Sequence, residues 1–141
     1  MGTVDPEGAT AVIARLCQAT NDHDLDAIVA CFSPNYRNET PAHPTRGFTG
    51  HEQVRRNWTQ ILAAVPDITT ELQRCTVDGD TVWTEWEHRG TRLDGATHLM
   101  RGVMIFGVDG DVIAWTRFYL EPVDNNETTA DDAVHAQVGA R

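Results

Sequence analysis

The stretch DGDTVWTEWEHRGTRLDG, residues 78 to 95, carries an Asp-Gly dipeptide at each end and an alternating run between them. Val82, Thr84, Trp86 and His88 fall on one side of that run and Trp83, Glu85, Glu87 and Arg89 on the other, because successive strand side chains point to opposite faces. Asp-Gly tolerates the positive φ that tight hairpin turns require. The stretch therefore reads as a strand between two turns, with His88 on its less charged face. The same reading extends outward to strands near 68–77, 80–92, 97–108 and 111–122, joined at Asp-Gly pairs 78–79, 94–95 and 109–110. Three hairpins in series make an antiparallel meander.

Upstream the hydrophobic period lengthens to that of helices. Val12, Ile13, Leu16 and Cys17 form one stripe, and Leu25, Ile28, Val29 and Phe32 a second, with Asp24 as N-cap and Ser33-Pro34 as the stop. A third helix is predicted from Thr49-Gly-His-Glu52, which has the form of a capping box; it carries Val54, Trp58, Ile61, Leu62 and Val65 and ends at Pro66. A short strand over Tyr36 to Pro41 joins a sheet edge. The expectation is an α+β domain over residues 9–123, with three N-terminal helices packed on a curved antiparallel sheet. Residues 1–8 read as a flexible leader, and the acidic segment 124–141, nearly free of large apolar groups, as disordered.

Composition narrows the function classes. The chain has 141 residues and 40% apolar content, enough for one core. No stretch approaches the roughly 18 apolar residues of a membrane span, and the first residues lack a secretory pattern. The expectation is a soluble cytoplasmic protein. A net charge of -10 opposes the phosphate contacts that hold nucleic acids and also opposes anionic membranes, so neither partner is expected. Cys17, Cys31 and Cys75 form no CxxC pair, and the six histidines form no HxH, HExxH or Cys/His cluster, so no metal site is predicted. In the last strand Phe118 and Leu120 alternate with Trp115, Arg117 and Tyr119, which implies cover on both faces. Helices cover one; a homodimer is expected on the other.

The stretch NDHDLDAIVACFSPNYRNETP (21–41), the pattern GF-x-G-x-E-x-V (47–54) and the ending GDVIAWTRFYLEP (110–122) resemble the nuclear transport factor 2-like superfamily, in particular its SnoaL-like polyketide cyclase and limonene epoxide hydrolase branches. The resemblance covers about residues 9–123. It implies a cone-shaped α+β barrel around a deep, mostly apolar pocket, usually in a dimer, in a family that includes cyclases, isomerases, epoxide hydrolases and binding modules. Residue by residue, the Asp-Arg-Asp set of limonene epoxide hydrolase falls on His88, Trp86 and Arg117, so that triad is absent. The aspartate and tyrosine of ketosteroid isomerase fall on Thr40 and Leu16. The His and Asp of SnoaL-like cyclases leave His88 in place, with Arg117 or Glu121 where the acid is expected.

A symmetric turn at 93–96 puts His88 opposite Arg101, where neighbouring cations would keep the imidazole neutral and able to accept a proton. A two-residue loop at 109–110 aims Phe118 at Arg101, whereas a three-residue loop aims Tyr119 there and puts Arg117 on the same face; the resemblance favours the second. The candidate catalytic residues are His88, Arg117 and Glu39, and the candidate substrate contacts are Tyr36, Asn38, Trp58, Trp86, Arg101 and Tyr119. His43 and His98 read as surface residues, with His43 near the pocket mouth. These groups suit cofactor-independent general acid/base chemistry on a small apolar molecule: cyclisation, isomerisation, dehydration or epoxide opening. The competing reading is a dimeric binding or accessory module without turnover, in which His88 and the arginines form a polar network satisfied by internal carboxylates.

Overall fold

The Asp-Gly pairs do close hairpins: Gly79 and Gly110 adopt φ near +63°, and Gly95 adopts +86°. They join strands β3 (Thr69–Asp78), β4 (Thr81–Thr91), β5 (Thr97–Asp109) and β6 (Val112–Pro122) into the expected antiparallel meander. The computed structural model describes residues 6–139. Before the meander come helices α1 (Pro6–Asn21) and α2 (Leu25–Ala30), strand β1 (Phe32–Glu39), a 3-10 turn (Pro44–Arg46), strand β2 (Phe48–Thr49) and helix α3 (His51–Ala64). Helix α4 (Ala130–Val138) follows it. Among the described residues no helix is long and apolar enough to cross a membrane.

The sheet has six strands in the order β2-β1-β6-β5-β4-β3 and is mixed, not wholly antiparallel, because β1 runs parallel to β6. β1 is also longer than the predicted edge strand and lies inside the sheet. Pro34, read as a helix stop, sits instead in the register shift between the Phe32 and Arg37 pairings, an irregularity that tolerates a residue without an N–H.

Two further expectations change for local reasons. Thr49 does not cap α3: it pairs with Arg37 in β2, the N-cap is Gly50 without a side-chain bond, and the Gly50 N–H donates to the Tyr36 carbonyl at 2.6 Å. The segment expected to be disordered contains α4, nucleated by a Thr129/Asp132 capping box. None of its residues is buried, as its lack of large apolar groups requires. At the other end Pro6 to Gly8 open α1, and the rest of the predicted leader, like residues 140–141, lies outside the described residues.

Helices α1, α2 and α3 pack on one face of the sheet. Ala9, Val12, Ile13 and Leu16 of α1 and Ile28 of α2 join Val82, Trp86, Phe106, Ile113 and Leu120 in one core. Each large member contributes about 1.5–3 kcal/mol of burial free energy. The opposite face carries Trp83 and Tyr119, 47% and 39% exposed, together with the row Arg89, Glu87, Arg101.

Candidate functional site

Three inward-facing rows of the meander build one wall of a cavity: Thr70, His88 and Met100; Trp86 and Leu120 across Gly102; Met104 and Phe118. Helix α3 supplies the opposite wall with Val54, Asn57, Trp58 and Ile61, a spacing that keeps all four on one helical face. β1 presents Tyr36 and Asn38, with Thr40 just beyond its end, because alternate strand positions share a face. The cavity volume is about 320 Å³. Its lining is mostly apolar, and among the described residues no carboxylate reaches it.

His88 faces this cavity and is only 8% exposed. Its ring lies edge-on to Trp86 at 6.1 Å and tilted against Trp58 at 6.2 Å. Among the described residues nothing hydrogen-bonds it. Burial, followed by the charge of nearby His98, lowers its pKa to about 4, so the imidazole is neutral at neutral pH. The neutrality comes from desolvation and not from Arg101, as the sequence had suggested.

That shift makes stability depend on pH. Between the ordinary imidazole value of 6.5 and the folded value of about 4, the unfolded chain binds a proton that the folded chain does not. The stability is intact above pH 6.5 and falls as the pH drops toward 4, by about 3 kcal/mol in total. Urea unfolding is expected to show the wild type losing about 3 kcal/mol more than His88→Gln between pH 7 and pH 4. Parallel pH profiles for the two proteins would contradict this.

Arg101 does not join His88. The β4–β5 loop is a five-residue one, Arg92 to Ala96, closed by Arg92 N–H to Ala96 O at 2.8 Å and Gly95 N–H to Arg92 O at 2.9 Å. Thr91 therefore pairs with Thr97, and His88 with Met100, one residue away from the symmetric-turn register. A one-residue slip exchanges the faces. Arg101 lies opposite Glu87 on the outer face, its Nε donating to Oε2 at 2.8 Å, while the Arg89 Nε donates to Oε1 at 2.8 Å. The two guanidiniums hold the Glu87 carboxylate below its ordinary pKa.

Arg117 does share the face of Arg101, because the register shift around Ala114 adds a residue to β6, but that face is turned away from the cavity. Arg117 is exposed opposite Ile105, and Tyr119 is exposed opposite Val103. Glu39 lies opposite Arg117 and pairs with Arg37 at 3.1 Å, outside the cavity lining. Of the predicted site residues, His88, Trp86, Trp58, Tyr36 and Asn38 meet in the cavity; Arg101, Arg117, Tyr119 and Glu39 do not.

Tyr36 donates through its hydroxyl to Asn38 Oδ1 at 3.1 Å, and Asn38 Nδ2 donates to Thr40 Oγ1 at 3.2 Å. Burial raises the Tyr36 pKa, which keeps the phenol a neutral donor. Polar lining residues that the sequence reading missed include His98, Arg46, Asn57 and Thr70. His98 is legible once its parity with Met100 is known. Its pKa is lowered by burial and then by Arg92. His43, expected near the pocket mouth, contacts Glu121 at 2.8 Å, which ties the segment before Arg46 to the end of β6. Arg46 is exposed, and among the described residues it is the cavity's one guanidinium. Among the described residues no three His, Cys, Asp or Glu side chains converge to hold a metal ion.

This architecture is shared with solved structures of low sequence identity. AclR, a candidate hydroxylase from Streptomyces galilaeus, superposes with a TM-score of 0.73 at 14% identity, over 96% of this chain and 94% of its own. An LEH-like epoxide hydrolase of M. tuberculosis gives 0.71 at 17% identity, over 82% and 84%. A candidate SnoaL-like polyketide cyclase from Jannaschia sp. CCS1 gives 0.69 at 17% identity, over 82% and 87%. A search of curated protein sequences gives no significant match. At the level of sequence, the SnoaL-like domain matches residues 13–116, three quarters of the chain and every element from α1 to the middle of β6. The protein therefore belongs to the SnoaL-like domain family, within the nuclear transport factor 2-like fold.

Proposed function

We propose that this protein is a small-molecule enzyme of the SnoaL-like type that removes and returns a proton on an apolar substrate, with His88 as the proton-transfer group. The observation that carries the reading is a neutral imidazole, without a hydrogen-bond partner among the described residues, facing a mostly apolar cavity of about 320 Å³. A base so desolvated is weak, so its substrate needs a carbon acid with its electrons delocalised onto a carbonyl. The proton passes to the imidazole and the charge to the carbonyl oxygen; the resulting ion pair attracts more strongly beside a buried imidazole than in bulk water. The proton then returns to a different atom. Cyclisation or isomerisation fits this better than epoxide opening, for which no carboxylate lines the cavity among the described residues. We further read the protein as a cytoplasmic homodimer, joined through the outer face that bears Trp83 and Tyr119.

The test is deuterium uptake by 2-tetralone, an apolar bicyclic ketone with a benzylic C–H beside its carbonyl, followed by proton NMR with wild type and His88→Gln. Uptake no faster with wild type than with buffer would sink the catalytic reading. A non-catalytic binding module is the second reading, favoured by the absence, among the described residues, of any partner that orients His88; ligand binding without exchange is its signature.

In this reading Arg46 holds an anionic end of the substrate at the cavity rim, the role that Arg101 and Arg117 are too distant to fill. Arg46→Gln is expected to weaken binding of 2-naphthoate by about three- to tenfold and to leave its methyl ester unaffected. Quenching of Trp58 and Trp86, which line the cavity, reads the affinity. Equal losses for acid and ester would remove Arg46 from the site.

A further inference from the structure

Three buried side-chain polar atoms among the described residues lack a hydrogen-bond partner: His51 Nδ1, Thr70 Oγ1 and Thr116 Oγ1. His51 does not line the cavity, and Thr116 lies within reach of the Tyr36 phenol. Thr70 is different. It is 6% exposed, lines the cavity, and is the direct partner of His88 across the β3–β4 pair. By contrast, the buried hydroxyls of Thr20 and Thr84 donate to the carbonyls of Leu16 and Met104 at 2.9 and 2.6 Å.

The backbone of Thr70 shows how close the two side chains stand. Its N–H donates to Asn21 Oδ1 at 2.7 Å, and its carbonyl accepts from Asn21 Nδ2 at 3.0 Å. Both groups thus point away from β4, which makes Thr70 and His88 a non-hydrogen-bonded pair. In such pairs the side chains approach more closely than in the alternative arrangement, with Cβ atoms about 4.5–5.5 Å apart. A hydroxyl and an imidazole at that spacing can face an oxygen and a C–H on adjacent carbons of one ligand.

Resting on the proton-transfer reading of His88, we infer that the Thr70 hydroxyl donates a hydrogen bond to the ligand's carbonyl oxygen while the neighbouring C–H faces the imidazole. The ligand class is an apolar ketone whose acidic C–H is adjacent to the carbonyl. As the proton moves to His88, negative charge grows on the oxygen that Thr70 already contacts, so the bond strengthens where the reaction needs it. Asn21 is a positioning residue: it fixes the Thr70 backbone from α1.

The experiment pairs 2-tetralone with tetralin, which lacks the oxygen, against wild type, Thr70→Val and Thr70→Ser. Affinity is read by tryptophan quenching and deuterium uptake by NMR. Thr70→Val is expected to bind tetralin as wild type does, to bind 2-tetralone about five- to tenfold more weakly, and to exchange it more slowly, on the order of 100-fold. Thr70→Ser retains the hydroxyl and both properties. The inference is overturned if Thr70→Val binds 2-tetralone like wild type, if it loses tetralin equally, or if wild type binds neither probe. Thr70-dependent binding without exchange would remove catalysis and leave the contact standing. His88-dependent exchange unaffected by Thr70→Val would do the reverse.

Discussion

His88→Gln is expected to slow deuterium exchange of 2-tetralone about 1000-fold, the middle of the range for loss of a positioned general base. Glutamine keeps comparable bulk and a polar end but has no basic nitrogen, so the substitution separates proton transfer from packing. The wild-type rate is expected to stay level at neutral pH and to fall as the pH approaches 4, where the imidazole takes up a proton and can no longer accept one. The same desolvation that lowers this pKa means that the variant should unfold no more easily than wild type at acid pH. A variant that exchanges at the wild-type rate would exclude His88 as the base. One that loses activity only through a large fall in melting temperature would identify the ring as a support.

Gly102→Ala is expected to have the largest effect on stability. Gly102 sits mid-sheet in β5, opposite Trp86 on one side and Leu120 on the other, with φ of +152°. A Cβ there would lie 2.2 Å from the Tyr119 carbonyl oxygen and 2.9 Å from the Leu120 Cα, both backbone atoms that no side-chain rotation can move. The strands must separate or the backbone must leave its conformation, a loss of about 3–5 kcal/mol. The melting temperature should fall by roughly 10 °C or more. Gly95→Ala provides the control, since its Cβ would meet nothing within 4 Å and only the positive φ is penalised. If Gly102→Ala melts no lower than Gly95→Ala, the close approach of β5 and β6 is not the constraint it appears in the register.

What the sequence made legible follows from which distances matter. The face of His88 was readable because alternation within one strand depends on nothing outside it. Trp86 follows from the same rule, and Trp58 from the helical one. The position of Arg101 was not readable, because it depends on the register between two strands and hence on whether the turn holds four residues or five. Arg92 and Ala96 closed the longer loop, and that one residue carried a predicted oxyanion holder to the outer face. For Arg117 the parity with Arg101 was right, but both inherit the earlier slip. Thr70, His98 and Arg46 became visible only when three separate segments met around one cavity. β1 was underestimated because its partner β6 lies more than seventy residues away, and no local pattern announces a parallel pairing.

The Asn21 clamp on Thr70 has a consequence for how copies of the chain meet. β3 is an outermost strand, and an outermost strand offers unpaired amides and carbonyls on which another chain can grow. At Thr70 those groups are already taken by the carboxamide of Asn21, and farther along the exposed charges of Glu71 and Arg74 make a like strand unwelcome. The opposite border, β2, is only two residues long. With both borders blunted, head-on polymerisation of sheets is discouraged.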